Sequence, residues 1–501
     1  MGGGMRMERG SGIIMHISSL PGKYGIGTFG KEAYKFADFL KIAGQRYWQI
    51  LPLGQTSYGD SPYQSFSAFA GNPYFIDFDM LENDGLLNKN DYCEINFGTN
   101  PESIDYGLLF NEKMKVLRIA YENSKQKEIV EFKTFQEEES SWLEDYALFM
   151  AVKAKFDLKS SQNWEDNIRL RKEKSISEYK KQLSDEINYW SFLQYEFFKQ
   201  WKKLKSYINK LGIEVIGDLP IYVAEDSADL WSNPKVFLLD EKTLKPAKVS
   251  GCPPDAFSKT GQLWGNPIYN WKHLEETGYS WWINRIKQSL KLYDVIRIDH
   301  FRGFEAYWTV PYGEKTAMNG AWVKGPGMKL FDAIKKELGE VNIIAEDLGL
   351  LTEETISFRK KTNFPGMKVL AFAFSGESNN LYLPHNYEKN CVAYTGTHDN
   401  DTARGWIEKT GSKQEIENAI EYLNLTEEEG YNWGLIRGIW GSVSNTSIAL
   451  MQDFLNLGNE ARINFPSTTE NNWCWRAKKG VFTNELAKKI YRLTKIYGRC
   501  E

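Results

Sequence analysis

The side chains most able to do chemistry in this sequence are acids that close short apolar runs. Asp218 closes EVIGDLP, Asp299 closes DVIRID, Glu346 and Asp347 close NIIAED, and Asp399 follows CVAYTGTH. One acid in such a place is commonly a helix N-cap or a loop-tying acceptor. Four strand ends carrying acids together weaken that reading. Two carboxyl groups can cleave a glycosidic bond with retention, one attacking the anomeric carbon while the other, protonated, donates to the leaving oxygen. Further acids nearby raise the donor's pKa and stabilise positive charge on the sugar. Arg297 lies two residues before Asp299, so on a strand both side chains face the same way and the guanidinium can hold Asp299 ionised. His300 and His398 each adjoin a candidate acid in a chain with 5 histidines, and either is equally readable as a hydrogen-bonded packing residue.

These acids need a scaffold that brings distant strand ends to one face. β-rich apolar runs recur at Gly12–Ile17, Tyr47–Leu53, Glu214–Leu219, Asp294–His300, Asn342–Asp347, Met367–Phe374, Cys391–Thr395 and Ala461–Phe465. Helix-period stretches lie between them, among them Lys31–Ala43, Trp190–Leu211, Tyr279–Leu292, Met328–Leu338 and Glu353–Lys361. Strands alternating with helices imply a parallel sheet, and eight of them imply closure into a (β/α)8 TIM barrel, an α/β fold whose strand C-termini open onto one face. The competitor is a doubly wound open sheet, but no glycine-rich nucleotide fingerprint follows an early strand. Residues 1–501 are therefore expected to form a single catalytic barrel with inserted subdomains. The long gap after the second run predicts a largely helical insertion at residues 54–205, between strands 2 and 3. Residues 220–270, carrying SGCPPDAFSKTGQLWGNP, read as a loop insertion between strands 3 and 4.

Composition excludes several classes. A net charge of −4 gives no electrostatic case for nucleic acid. No run of about 18 apolar residues suggests a membrane span. The 5 cysteines are scattered, without CxxC or Cys/His spacing, so neither a disulfide framework nor a zinc site is expected; a reducing, cytoplasmic setting fits them. No oxygen-ligand run suggests calcium, and no metal or cofactor is expected. The 17 Trp and 27 Tyr supply many flat faces on which sugar rings stack, although a large core also uses aromatics.

Several long motifs, occurring in order, carry a resemblance: YGDSPYQSFSAFAGNPYFID from Tyr58, GDLPIYV from Gly217, PPDAFSKTGQLWGNP from Pro253, RIDHFRG from Arg297, AEDLG from Ala345 and GTHDNDT from Gly396. Together they closely resemble the 4-α-glucanotransferases, also called amylomaltases or disproportionating enzymes, a branch of the α-amylase superfamily. The resemblance runs from about Gly12 to Arg476. It implies a retaining barrel enzyme that transfers α-1,4-glucan segments among malto-oligosaccharides and starch- or glycogen-derived glucans. It also implies Asp299 as nucleophile, Glu346 as general acid/base and Asp399 as transition-state stabiliser. Asp218, Arg297 and His398 would line the subsite of the cleaved sugar, and Tyr58, Tyr63, Gln262, Trp264 and Asn464 would contact substrate. The α-amylases proper place a histidine at the end of the third strand motif; GDLPIYV has none. After Arg476 only one helix, near Asn484–Tyr497, is expected, leaving no room for a separate C-terminal β-domain. Two other readings use the same residues: an α-glucan hydrolase, and a sugar-binding barrel that has lost catalysis.

Overall fold

The computed structural model describes residues 7–57, 59–127, 129–254, 258–349, 351–466, 468 and 470–500. Its strands, in chain order, are β1 (Gly10–Ile14), β2 (Tyr47–Gln49), β3 (Glu214–Leu219), β4 (Lys248–Cys252), β5 (Gln262–Pro267) and β6 (Val295–Ile298). They continue with β7 (Ala306–Pro311), β8 (Ala321–Lys324), β9 (Ile343–Ala345), β10 (Gly366–Val369), β11 (Cys391–Tyr394) and β12 (Thr446–Leu450). Eight of them close into a barrel in the order β1-β12-β11-β10-β9-β6-β3-β2, every pairing parallel.

Pleat alternation decides what each strand presents to the interior. Ile14, Tyr47, Ile216, Val295, Ile344, Met367, Val392 and Ile448, one from each barrel strand, pack together in the lumen. Counting on by two reaches Asp218 from Ile216, Arg297 and Asp299 from Val295, and Glu346 from Ile344. The lumen's apolar plug thus continues upward into the charged groups at the strand ends. Residues of the other parity, such as Ile13, Trp48, Val215 and Ile296, join the larger core beneath the helices.

Between β2 and β3 the chain forms the helices Met114–Ser124, Val130–Glu138, Leu143–Lys155, Glu173–Gln182 and Ser184–Lys210. The last has 27 residues and buries Trp190, Leu193, Phe197, Trp201, Leu204 and Ile208, a helical three-and-four spacing. It packs against Leu143–Lys155 and also against Lys31–Ile42 and β3, so one helix joins this region to the barrel wall. Two buried glutamines on it mimic a strand partner. Gln194 exchanges hydrogen bonds with both backbone groups of Gly71, at 2.7 and 2.9 Å, and Gln200 does the same with Asp77, at 2.8 and 3.2 Å.

Two expectations are corrected. The eighth strand is Thr446–Leu450; Ala461–Phe465, which alternates like a strand, is a 3-10 turn at Asn459–Ala461 followed by irregular chain. The true strand was masked by its polar start, where buried Ser447 is satisfied by donating to the Ile439 carbonyl at 2.8 Å. Residues 220–270 are not simply loop either. They carry β4 and β5, which join β7 and β8 in a four-stranded antiparallel sheet ordered β5-β4-β7-β8. The terminal helix is Asn484–Ile496. Among the described residues no helix is long and apolar enough to cross a membrane.

Candidate active site

A cavity of about 330 Å³ opens at the C-terminal ends of the barrel strands. Asp299, Glu346, His398, Asp399, Tyr63, Gln262, Trp264 and Asn464, drawn from widely separated segments, all line it. Asp218 and Arg297 do not. They lie directly beneath, with side chains 0% and 4% exposed, and act on the cleft through the groups above them. Tyr58 falls outside the described residues.

Arg297 Nη1 donates to both oxygens of Asp218, at 2.7 and 2.6 Å, and to Asp299 Oδ1 at 3.1 Å. A buried carboxylate and a half-buried one thus share one guanidinium, the pairing that the buried charges of Asp218 and Arg297 require. The Tyr63 hydroxyl donates to the other side of Asp218, at 2.8 Å to Oδ2. Burial pushes the Asp299 carboxyl up to about 6; Arg297 pulls it back toward the ionised form, while Asp218 and Asp399 add to the rise. A third of its side-chain surface is open, facing the cleft.

Glu346 is held by backbone. Its Oε2 accepts from the His300 N–H at 2.7 Å and its Oε1 from the Leu348 N–H at 2.8 Å. Both bonds favour the carboxylate, yet burial first and the nearby Asp299 charge second push the group up to about 7. His300 supplies that N–H from a left-handed conformation, φ 51°, and its half-buried ring lies across that of Trp264 in a T-shaped contact, centroids 4.8 Å apart. Asp347, next in sequence, has the opposite pleat parity. It turns into the wall, where it pairs with Arg359 Nε at 3.0 Å and accepts from the Met367 N–H at 2.8 Å.

Asp399 is the acid held most firmly ionised. Burial alone would raise it, but His398 Nε2 at 3.3 Å and the Asn464 amide, donating at 2.6 Å, together with the more distant Arg297, hold it well below the usual carboxylate range. In return Asp399 raises the His398 pKa against the opposing effect of burial. His398 stacks on Tyr63, centroids 5.1 Å apart and planes 17° apart, so one tyrosine bridges the Asp218 and Asp399 sides of the cleft.

The rest of the lining includes residues given no individual role from the sequence: Trp473, and, inside the quoted motifs, Tyr222, Asn266, Gln64 and Ser61. Trp473 packs against both Tyr63 and His398, at 5.8 and 5.9 Å. The tryptophan-rich NNWCW stretch was a signal for it. Asn266, in the motif from Pro253, is tied to the Val223 carbonyl at 2.9 Å. Among the described residues no group of three or more His, Cys, Asp or Glu could hold a metal ion.

Comparison with known proteins places the chain. The family model for 4-alpha-glucanotransferase matches residues 15–482. A 4-alpha-glucanotransferase from Clostridium butyricum is 70% identical over 487 residues, covering 97% of this chain and 100% of the relative. Another from Thermus thermophilus is 47% identical, covering 97% and 98%. Among solved structures, an amylomaltase from Streptococcus agalactiae in complex with acarbose superposes with a TM-score of 0.96 at 44% identity, covering 99% of this chain and 100% of that one. With one family model matched from the residue after β1 to beyond Trp473, and relatives matched over almost their whole length, the chain belongs to the 4-alpha-glucanotransferase family.

Proposed function

We propose that this enzyme transfers α-1,4-glucan segments from a donor malto-oligosaccharide to the 4-hydroxyl of an acceptor glucan or glucose, by double displacement with retention. The observation that carries the mechanism is the unequal setting of two carboxyl groups in one cleft. Asp299 accepts from a buried guanidinium, whereas Glu346, held by two backbone N–H groups, is pushed up to about 7. The first is built to be ionised and the second to carry a proton.

In the first half-reaction the Asp299 carboxylate attacks the anomeric carbon as Glu346 gives its proton to the departing glycosidic oxygen. The products are a β-linked glycosyl-Asp299 ester and a shortened sugar. Asp399, fixed as an anion by His398 and Asn464, stabilises the positive charge that builds on the ring. In the second half-reaction Glu346, now ionised, takes the proton of the acceptor 4-hydroxyl. That oxygen attacks the anomeric carbon, restoring an α-1,4 bond as the bond from that carbon to Asp299 breaks and the carboxylate is freed. Water could replace the acceptor, so transfer depends on seating a sugar against the aromatic lining, where Trp264, Tyr63, Tyr222 and Trp473 offer faces. Starch- and glycogen-derived glucans are the natural source of such chains.

The test is to trap the ester. With α-glucosyl fluoride as donor, fluoride leaves with little acid assistance, so Glu346→Gln should accumulate a glucosyl adduct on the peptide containing Asp299, and Asp299→Asn should not. An adduct on Asp399 or Asp347 would overturn the assignment.

A further inference from the structure

Asp399 and Asn464 come from different loops, one following β11 and the other following β12, yet the Asn464 amide meets the Asp399 carboxylate at 2.6 Å. Something must fix the two loops against each other. Arg462 is placed to do so, and it lies in the segment whose alternation imitates a strand.

Its guanidinium contacts three acceptors at once. Nε donates to the Asn464 carbonyl at 2.8 Å, Nη2 to the Asp399 carbonyl at 2.6 Å, and Nη1 pairs with the Asp401 carboxylate. The plane lies 4.5 Å from the centre of the Phe465 ring, and only 13% of the side chain is exposed. The Asn464 N–H also donates to the His398 carbonyl, at 3.2 Å. One rigid fork therefore sets the backbone of Asp399 and the backbone of Asn464 in a common frame. Neither Arg462 nor Asp401 is among the residues lining the cleft. A lysine would keep the charge but cannot span three acceptors in one plane.

We propose that Arg462, anchored by Asp401, is a positioning residue that holds the Asn464 amide on the Asp399 carboxylate and so orients that carboxylate for the reaction. The inference rests on the role proposed above for Asp399. Because Arg462 is not among the cleft-lining residues, its loss acts on turnover and not on substrate affinity. Misplacing a reacting group by about 1 Å costs on the order of 100-fold in rate. Arg462→Lys should therefore lower kcat for maltotriose by roughly 10- to 100-fold, with KM changed by less than about twofold. Asp401→Asn, which leaves Arg462 in place but weakens its anchor, should show a smaller loss of the same kind.

The decisive readout is a cycle with Asn464→Ala. If Arg462 acts through the Asn464–Asp399 contact, the double variant Arg462→Lys with Asn464→Ala should be no slower than Asn464→Ala alone. Independent, multiplying losses would overturn the inference, as would a parallel change in KM or a drop in thermal midpoint that accounts for the lost turnover. Should Arg462→Lys fail to fold, the cycle is run with Asp401→Asn and read the same way. Asp399→Asn measured alongside separates the two claims. If it keeps full turnover, the role of Asp399 and this inference fall together; if it loses turnover while Arg462→Lys does not, only this inference falls.

Discussion

Asp299 and Glu346 compete for one proton in a buried cleft, because the charge of the first helps raise the second. The proposed mechanism needs Asp299 ionised and Glu346 protonated. Activity should rise as pH passes the Asp299 value of about 6 and fall as it passes the Glu346 value of about 7, giving a narrow bell in kcat/KM whose limbs belong to the coupled pair. A pH–rate profile with maltotriose checks this, and a rate that stays flat on crossing neutrality would contradict it. At this scale the sequence motifs marked the three cleft acids, but the bare pattern did not separate Glu346 from Asp347, since both close the same run. Strand parity separates them: Glu346 follows Ile344 inward, and Asp347 is consumed by Arg359 in the wall. Asp218 and Arg297 were legible as members of the site but not as its floor, because depth below a surface has no local sequence signal.

At the scale of elements, the position of β3 depends on a close approach. A Cβ placed on Gly217 would lie 2.1 Å from ring atoms of Tyr293, the residue whose hydroxyl accepts from the Leu53 N–H at 3.2 Å. Gly217→Ala must push the ring or the strand aside, which overpacking data put at about 1–3 kcal/mol, and it should disturb neighbouring Asp218 as well. A lowered thermal midpoint together with lowered kcat is the expected outcome; an unchanged protein would show that the wall yields freely. Seven of the eight barrel strands and their outer helices were readable because period-two and three-and-four patterns are local. The β4–β5 hairpin was not, since KVSGC and QLWGNP have little apolar alternation and gain their order by β4 pairing onward with β7, about sixty residues away in sequence. Ala461–Phe465 misled for the converse reason. Its alternation serves the Arg462 and Asn464 contacts of a loop and not a ladder.

Across the whole molecule, the barrel holds the acids while the regions around β2–β3 and the β5-β4-β7-β8 sheet bring aromatic side chains to the rim. Two buried glutamines clamp the Gly71 and Asp77 backbone to a long helix, steadying the segment that carries Tyr63, and β5 presents Gln262 and Trp264 from the other side. Separate supports for the proposed chemistry and the proposed sugar seating imply that the two can be damaged separately. Trp264→Ala should lower the ratio of transfer to hydrolysis more than it lowers donor cleavage, because a stacking face is lost while the carboxylates stay in place. An unchanged ratio would remove Trp264 from acceptor binding and leave the remainder standing. The most direct test of transfer itself is to give the unmodified enzyme maltotriose alone and follow both products and total reducing ends. Each bond broken is replaced by a bond made, so glucose and longer oligosaccharides should accumulate while reducing ends stay nearly constant; reducing ends that climb in step with maltotriose loss would contradict the account.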